Sequence, residues 1–589
     1  MALQVRANAR KHTEPPAHYV VLNEWIRGAV RAGFQNPWDS WHKPTATEVL
    51  QGLEWGERPG SPAPAPGTML DNLAATFKRL VPDTPEVPGL QSNASQNECE
   101  KVMYSSLDVQ TPDFAFDASV ERAHATWLGH AGVLLQLPSL SPGGRALTVL
   151  FDPIFSQRCS PSQMFGPTRF YPAPCSVADL PAIDAVIISH NHYDHLDTST
   201  ITALWQRFQG ATHFFVPLGN KDWFIQANVQ PDAVTELDWW QDATIYPEGA
   251  TPTHNGPSLR VICTPAQHGS GRTATDTDHS LWASWYLEHR GANDPTDMYR
   301  VFFGGDSGFR FRVGSEETHR SGERTPSTGA DNSRCSSPVP VLDLESDEHA
   351  APESESPPSG TERESRRRTL SFAHASSPLR ALSRSSVRRA DRRKSEARGA
   401  GAHVYPECPA FAEIAERFGA PDLSMLPVSV GATYAYLKSF DPLPDWISPI
   451  PRLSDGLTGA NHMSASDAVT IFTLMQGRAD PSIPLCKRPH IISDAQRKTR
   501  QPVALAIHWG TFVDGAAEVA ETMQRLQWAC ERQNVRYTRT YAPGQLKHGY
   551  TQDASTSADP SAPVFVLVNH GQSIAIPQGP LVASTTSTC

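Results

Sequence analysis

An α/β sandwich, two sheets packed face to face under a cover of helices, is the fold class predicted by this 589-residue sequence. Three observations predict it. Short apolar runs recur at residues 125–128, 133–137, 147–151, 185–189, 212–216, 259–264, 281–287 and 299–304, lengths that suit strands rather than helices. Helical spacing follows at 411–418 and, through Val519, Met523, Leu526 and Ala529, at 515–533. Several of the strand-like runs end in a loop that bears His or Asp, which gathers polar side chains along one edge of the stacked sheets.

The most informative of those loops is Ser189-His190-Asn191-His192-Tyr193-Asp194-His195, directly after Ala185-Val186-Ile187-Ile188. Side chains of this kind at the end of a buried strand must be hydrated, mutually bonded or metal-bound. His190 and His192, two apart at a strand mouth, can aim their rings the same way. Asp194 and His195 lie one turn further, where a second cation fits. A dinuclear site needs further ligands, and three stand in matching contexts: His268 after 260–264, Asp306 after 300–305 and His508 after 503–507. A single His at a strand end is commonly structural; the joint pattern favours metal. Imidazole and carboxylate without thiolate suits catalytic zinc with open positions.

Taken in order, residues 1–113 read as an N-terminal extension. It holds an aromatic-rich segment from Trp25 to Trp41, helical spacing across 20–34, and a Pro-rich linker near 59–66. Residues 114–312 read as the first half of the sandwich. Composition then shifts over 313–401, where an acidic, Ser/Pro-rich part gives way to a basic part with Arg366-Arg367-Arg368 and Arg392-Arg393-Lys394. Too few apolar residues are present there to offset ordering entropy, so a large disordered insertion is expected. Its basic part reads as solvated, with attraction to an anionic membrane as the alternative. Residues 402–550 complete the fold around a smaller insertion at 476–498, and 551–589 supply a C-terminal strand and a loose tail.

The motifs together resemble the metallo-β-lactamase superfamily and, within it, the N-acylphosphatidylethanolamine-hydrolysing phospholipase D family. The likeness is carried by Thr126-Trp127-Leu128-Gly129-His130-Ala131, Phe151-Asp152-Pro153-Ile154-Phe155-Ser156, the His cluster, Pro265-Ala266-Gln267-His268, Phe303-Gly304-Gly305-Asp306-Ser307-Gly308 and Ala506-Ile507-His508-Trp509-Gly510-Thr511-Phe512. Asn36-Pro37-Trp38, Ser160-Pro161-Ser162-Gln163, Leu218-Gly219-Asn220-Lys221 and His570-Gly571-Gln572-Ser573 extend it.

The resemblance implies the αββα sandwich of that superfamily and two Zn2+ per chain. One zinc would take His190, His192 and His268; the other would take Asp194, His195 and His508; Asp306 would bridge them. His462 lines up with a family active-site His, as a phosphate contact or general acid, and Asp194 and Asp306 share the catalytic assignment. His130 and Asp152 would orient ligands. Two cations can acidify a water and clamp phosphoryl oxygens, so a phosphodiester suits the site. The implied reaction cleaves N-acylphosphatidylethanolamine to N-acylethanolamine and phosphatidic acid. Departures at Gly269-Ser270 and 428–434, residues expected to shape an acyl pocket, leave another phosphodiester, a lactone or a thioester as alternatives.

Other chemistries fit less well. Di-iron relatives place Glu where this chain has His192, whereas single-iron dioxygenases keep the His and are separated by metal analysis. A nuclease needs a basic track for phosphates, and the net charge here is -11, so no nucleic-acid partner is expected. The expected partners are a phospholipid substrate and the surface of a membrane met peripherally; the oligomeric state stays open, a homodimer being one option. No apolar run reaches the about 18–20 residues needed to span a bilayer, and no apolar stretch follows Arg6, Arg10, Lys11 and His12. An intracellular protein, cytoplasmic or peripheral on an internal membrane, is expected. The nine Cys are scattered, odd in number and without CxxC, so free thiols are expected.

Deleting residues 313–401 is expected to leave the fold intact. Thermal unfolding should show a transition within a few degrees of the full chain, and a lost transition would refute the insertion reading.

Overall fold

The central strands are continuous apolar runs because the sheets are covered on both faces there. A computed structural model of the chain describes residues 3–8, 15–24, 28–54, 107–250, 256–273, 275–313, 405–429, 452–477, 500–513, 515–541 and 562–578. These belong to one unit, Met1–Thr318 with Val404–Cys589; the other unit, His319–His403, lies outside the described residues, as do the Pro-rich linker and nearly all of the two expected insertions.

In chain order the strands are β1 (Leu3–Ala7), β2 (Tyr19–Glu24), β3 (Gly28–Phe34), β4 (Leu53–Glu54), β5 (Glu121–Gly129), β6 (Gly132–Leu137) and β7 (Leu147–Phe151). They continue with β8 (Ala185–Ile187), β9 (His213–Pro217), β10 (Val234–Leu237), β11 (Asp242–Pro247), β12 (Ser258–Thr264), β13 (Ser284–Arg290) and β14 (Met298–Phe303). The last are β15 (Leu423–Pro427), β16 (Arg452–Leu453), β17 (Val503–Ile507), β18 (Arg536–Thr538), β19 (Val564–Val566) and β20 (Ser573–Pro577). One sheet runs β10-β9-β8-β7-β6-β5-β20, the other β1-β11-β12-β13-β14-β15-β17-β19-β18.

Alternation along the strands builds the layers. Val133, Leu135, Leu147, Val149, Phe151, Ala185 and Ile187 point between the sheets, where Phe151 meets Phe303 at 4.6 Å between ring centroids. Their neighbours Leu134, Leu150, Val186 and Ile188 point the other way, onto Ile201, Leu204 and Trp205 of the helix Thr198–Phe208. A one-residue slip would exchange the two sets, so register is tightly specified. Outside the larger sheet, Phe411 and Ile414 of the helix Ala410–Phe418 and Val469 and Phe472 of the helix Ala465–Met475 join the same core.

The result is the metallo-β-lactamase αββα sandwich. The loops after β7, β8, β12, β14 and β17 carry Asp152, the His190–His195 cluster, His268, Asp306 and His508. Two glycines permit their close approach. A Cβ on Gly305 (φ +55°) would fall 2.6 Å from Ser189 Cβ, and one on Gly308 would fall 2.0 Å from the Ala460 carbonyl oxygen.

Some expectations need correction. Where a helix is expected across 20–34, the described residues 20–24 and 28–34 lie in strands: β2 and β3 pair antiparallel, Tyr19 opposite Phe34. Val20, Val21 and Val30 are β-branched, and apolar residues three or four apart also fit a two-stranded ladder. The run at 281–287 enters its ladder only at Ser284, because Leu281 N–H donates to the Leu218 carbonyl and Ala283 N–H to that of Ser189. Strands β10 and β11 escape the sequence pattern since polar residues interrupt both. β1, within the segment read as an extension, is an edge of the larger sheet, and two late strands rather than one are present: β19 joins the larger sheet, β20 the smaller. Cys159, Cys175, Cys263, Cys408 and Cys530 are free thiols, as expected; the other four cysteines lie outside the described residues.

Trp285 ties the two sheets together. Its buried indole Nε1–H donates to the Ile188 carbonyl at 3.0 Å, just before the His cluster. Trp285→Ala is expected to lower the unfolding free energy by about 3–5 kcal/mol, measured by urea titration.

Candidate metal centre

Each ring of the cluster must present a lone pair inward if it is to bind a cation, so its N–H must be taken up elsewhere. The fold supplies that acceptor four times. His268 Nδ1–H donates to the Asn461 carbonyl at 2.9 Å, and His508 Nδ1–H to that of Ser429 at 3.1 Å. His195 Nδ1–H donates to Asp152 Oδ2 at 2.7 Å, and His190 Nδ1–H to Ser189 Oγ at 2.9 Å. The Nε2 atoms of these four rings are thereby aimed at one another. His192 differs and offers Nδ1, which lies 2.8 Å from His190 Nε2 and 3.2 Å from His268 Nε2.

Two candidate ligand sets result. His190, His192 and His268 form one, their rings nearly perpendicular in pairs (84°, 80° and 79°). Asp194, His195 and His508 form the other, with His130 beside them. Tetrahedral cation–nitrogen bonds of about 2.0–2.1 Å would separate ligand atoms by roughly 3.3 Å, close to the spacing found. Asp306 stands between the sets. Its Oδ1 lies 2.8 Å from His508 Nε2, and its Oδ2 lies 3.2 Å from His195 Nε2, 3.7 Å from His268 Nε2 and 4.0 Å from His190 Nε2. His462 Nε2 is 3.3 Å from the same oxygen.

The donor set fits divalent metal on a specific observation. His195 Nε2, His508 Nε2 and Asp306 Oδ1 are buried without a hydrogen-bond partner, although His508 Nε2 and Asp306 Oδ1 lie within contact distance. Lone pairs converge there on an enclosed centre. Left unsatisfied, each would cost about 1–3 kcal/mol, and a cation removes that penalty. The cluster could therefore hold metal.

The enclosure also sets the protonation of these groups. Burial, reinforced by neighbouring rings, holds His190 well below the usual imidazole range; burial acts likewise on His268 and brings His192 down to about 4. Neutral rings are the form that binds metal. Burial opposes the charged form of Asp194 and Asp306, yet the adjacent histidines hold both carboxyls well below the usual range. His195 goes the other way: burial disfavours its charge, but Asp306, Asp194 and Asp152 raise it well above the usual range. A proton there occupies the place a cation would take.

The surrounding residues explain the aim of the ligands. Asp152, wholly buried, accepts from Ser189 N–H at 2.7 Å and Ser189 Oγ–H at 2.5 Å besides His195. Burial above all, with the neighbouring His508 ring adding to it, pushes His130 down to about 3, so its neutral Nε2–H donates to Asp194 Oδ2 at 3.0 Å. His130, Asp152 and His508 all adopt positive φ (50°, 36° and 62°), a conformation costing about 1–3 kcal/mol each for a side chain with Cβ. Packing holds them there: His508 N–H donates to the His130 carbonyl, Trp127 Nε1–H to the same oxygen, and His130 N–H to Thr511 Oγ1.

Every ligand, catalytic and orienting residue assigned from sequence thus lies in or against this cluster, while 430–434, part of the segment expected to shape an acyl pocket, lie outside the described residues. The supporting roles of Asn36, Ser189, Arg272 and Thr511 did not emerge from sequence. Asn36 makes both backbone hydrogen bonds of His268, and Arg272 Nη1 donates to the Asn191 and Leu196 carbonyls, bracketing the His loop. Asn36 and Thr511 sit inside family-like motifs, a signal that they matter but not of what they touch.

Fold and cluster together define an αββα sandwich of the metallo-β-lactamase fold whose His/Asp cluster could hold metal. A family profile described as "Beta-lactamase superfamily domain" matches residues 148–320. Among known proteins, the chain is 42% identical over 195 residues to the uncharacterized protein Rv0906 of Mycobacterium tuberculosis, covering 33% of this chain and 44% of that one. It is 31% identical over 263 residues to N-acyl-phosphatidylethanolamine-hydrolyzing phospholipase D 1 of Caenorhabditis elegans (43% and 61% covered). It is 27% identical over 279 residues to the mitochondrial N-acyl-phosphatidylethanolamine-hydrolyzing phospholipase D of Saccharomyces cerevisiae (47% and 54%). The matches thus span between 44% and 61% of these relatives' own lengths.

Asp152→Asn, which keeps the side-chain shape but weakens the hold on His195, is expected to reduce metal affinity by about 10–100-fold. Metal content after dialysis against graded chelator would measure it; unchanged retention would show that Asp152 does not orient a ligand.

Proposed function

We propose that the protein is a zinc-dependent phosphodiesterase of the phospholipase D type, cleaving N-acylphosphatidylethanolamine into N-acylethanolamine and phosphatidic acid. The observation that carries this reading is the Asp306 carboxylate lying between two candidate ligand sets, with His462 Nε2 3.3 Å from its Oδ2. The named activity of the two phospholipase D relatives supplies the substrate class. Two Zn2+ held by His190, His192 and His268 on one side and Asp194, His195 and His508 on the other would supply Lewis acidity and an acidified water.

The protein's own groups account for the rest. His130 keeps Asp194 oriented, Asp152 keeps His195 oriented, and both act through neutral or shared hydrogen bonds that need no rearrangement during reaction. Breaking the P–O bond to N-acylethanolamine leaves an alkoxide that must gain a proton. His462, part-exposed at the rim with Nε2 beside Asp306, is placed to deliver it. A lipid substrate also requires contact with a bilayer surface. Met164 and Phe165 stand 71% and 67% exposed on a loop whose turn is held by Ser160 Oγ–H donating to the Phe165 carbonyl. The same loop carries Cys159, which packs with Ile154, Phe512 and Tyr193 of the His loop. Among the described residues no helix is long and apolar enough to cross a membrane, so this reading rests on peripheral contact. Gly269-Ser270 after His268 keeps another phosphodiester as the second reading.

Metal analysis combined with turnover of N-acylphosphatidylethanolamine tests the proposal. Wild type should hold about two zinc per chain and release both products, while Asp306→Ala should release neither. Zinc without those products would remove the lipid assignment, and a single iron would overturn the mechanism. His462→Ala should keep its metal and lose about 10²-fold or more in kcat.

A further inference from the structure

Four of the candidate ligand rings have an acceptor behind them, but the His462 ring has none: its Nδ1 is buried without a hydrogen-bond partner. Its place beside Asp306 is therefore set by the backbone that carries it. That backbone is the turn 458–463, which leads into the helix Ala465–Met475. His462 N–H donates to the Thr458 carbonyl at 2.8 Å and closes the turn locally. Three further bonds hold it from outside. His268 Nδ1–H donates to the Asn461 carbonyl at 2.9 Å, Met463 N–H to the Ser307 carbonyl at 2.8 Å, and Gln267 Nε2–H to the Ala460 carbonyl at 3.0 Å. The first involves a ligand ring and the second the neighbour of Asp306, whereas the third comes from a side chain outside the ligand sets.

Gln267 is wholly buried and joins three segments of the chain. Its N–H donates to Ser307 Oγ at 2.9 Å and its carbonyl accepts from Gly308 N–H at 2.7 Å, which ties it to the turn bearing Asp306. Its Oε1 accepts from Ser40 Oγ–H at 2.5 Å. A Gln amide has one accepting and one donating end, so with Ser40 on the oxygen the NH2 group must face the Ala460 carbonyl. Ser40 is itself buried and stands four residues after Asn36. The N-terminal stretch that grips the His268 backbone thus also orients the side chain beside it.

We propose that Gln267 is the positioning residue of His462: its buried amide, oriented by Ser40, fixes the turn at Ala460 and thereby holds the otherwise unsupported ring beside Asp306. The inference builds on the reading of His462 as the proton donor to a leaving alkoxide. Without the amide, the Ala460 carbonyl and the Ser40 hydroxyl lose their partners in a buried place, and the turn shifts to regain them. Misplacing a reacting group by about 1 Å can cost about 10²-fold in rate.

Crystal structures of the zinc-loaded full chain test the placement whatever the substrate. In Gln267→Met and in Ser40→Ala, the distance from His462 Nε2 to Asp306 Oδ2 should exceed the wild-type value by about 1 Å. An unmoved His462 would overturn the proposal. Turnover tests the consequence. A phosphodiester with an alkyl leaving group needs the donated proton and one with a p-nitrophenyl leaving group does not, so the ratio of the two rates reads the donor alone. Gln267→Met should lower that ratio about 10-fold with zinc still bound, and in a His462→Ala background it should lower it no further. A wild-type ratio, or an equal fall in the His462→Ala background, would overturn the proposal. So would loss of zinc from both variants, which would show that Gln267 serves the His268 ring instead. Ser40→Ala leaves the ligand segments intact and keeps the test decisive if Gln267→Met fails to fold. If wild type turns over neither ester, the phosphodiesterase reading falls, and the crystal structures still decide the placement of His462.

Discussion

An imidazole buried beside other imidazoles can face them with a lone pair only if an acceptor waits behind it. That constraint organises the site. Asn461 O, Ser429 O, Asp152 and Ser189 Oγ stand behind four of the rings, and each comes from a different stretch of chain than the ring it serves, save Ser189. The two halves of the sandwich must therefore be assembled before the nitrogens converge. The buried carboxylates of Asp194 and Asp306 compensate the cluster electrostatically, and the unsatisfied atoms left at its middle are those a cation would join.

Strain is concentrated in the same place. His130, Asp152 and His508 hold conformations that a free chain would leave, and the surrounding aromatic packing is heavy. Trp127 and Trp509 lie parallel at 5.0 Å, immediately behind His130 and His508. Trp285 reaches across from the facing sheet to the strand end beneath His190. Together these contacts supply the rigidity that a site of several convergent ligands requires.

Segments far apart in the chain share this load. β20 returns from the C-terminal region to flank β5, and β1 from the N-terminal region flanks β11. Asn36, beyond the hairpin β2–β3, grips His268, and His570 contacts Thr511, which in turn holds His130.

By itself the amino-acid order determined the strand-end candidate ligands, since an apolar run closing in His or Asp marks its own loop, and most of the central strands, since apolar runs buried on both faces need no partner to be recognised. It determined the chemical type of the site as well, because imidazole and carboxylate without thiolate limit the metals that fit. Only the tertiary structure decided the rest. The hairpin at 19–34 depended on cross-strand pairing that a helical spacing could imitate. β10, β11 and β1 depended on neighbours to bury their few apolar residues. The partition of seven candidate ligands into two sets, the place of Asp306 between them, and the roles of Asn36 and Thr511 depended on contacts between residues from tens to hundreds of positions apart, and sequence spacing carries no record of such distances.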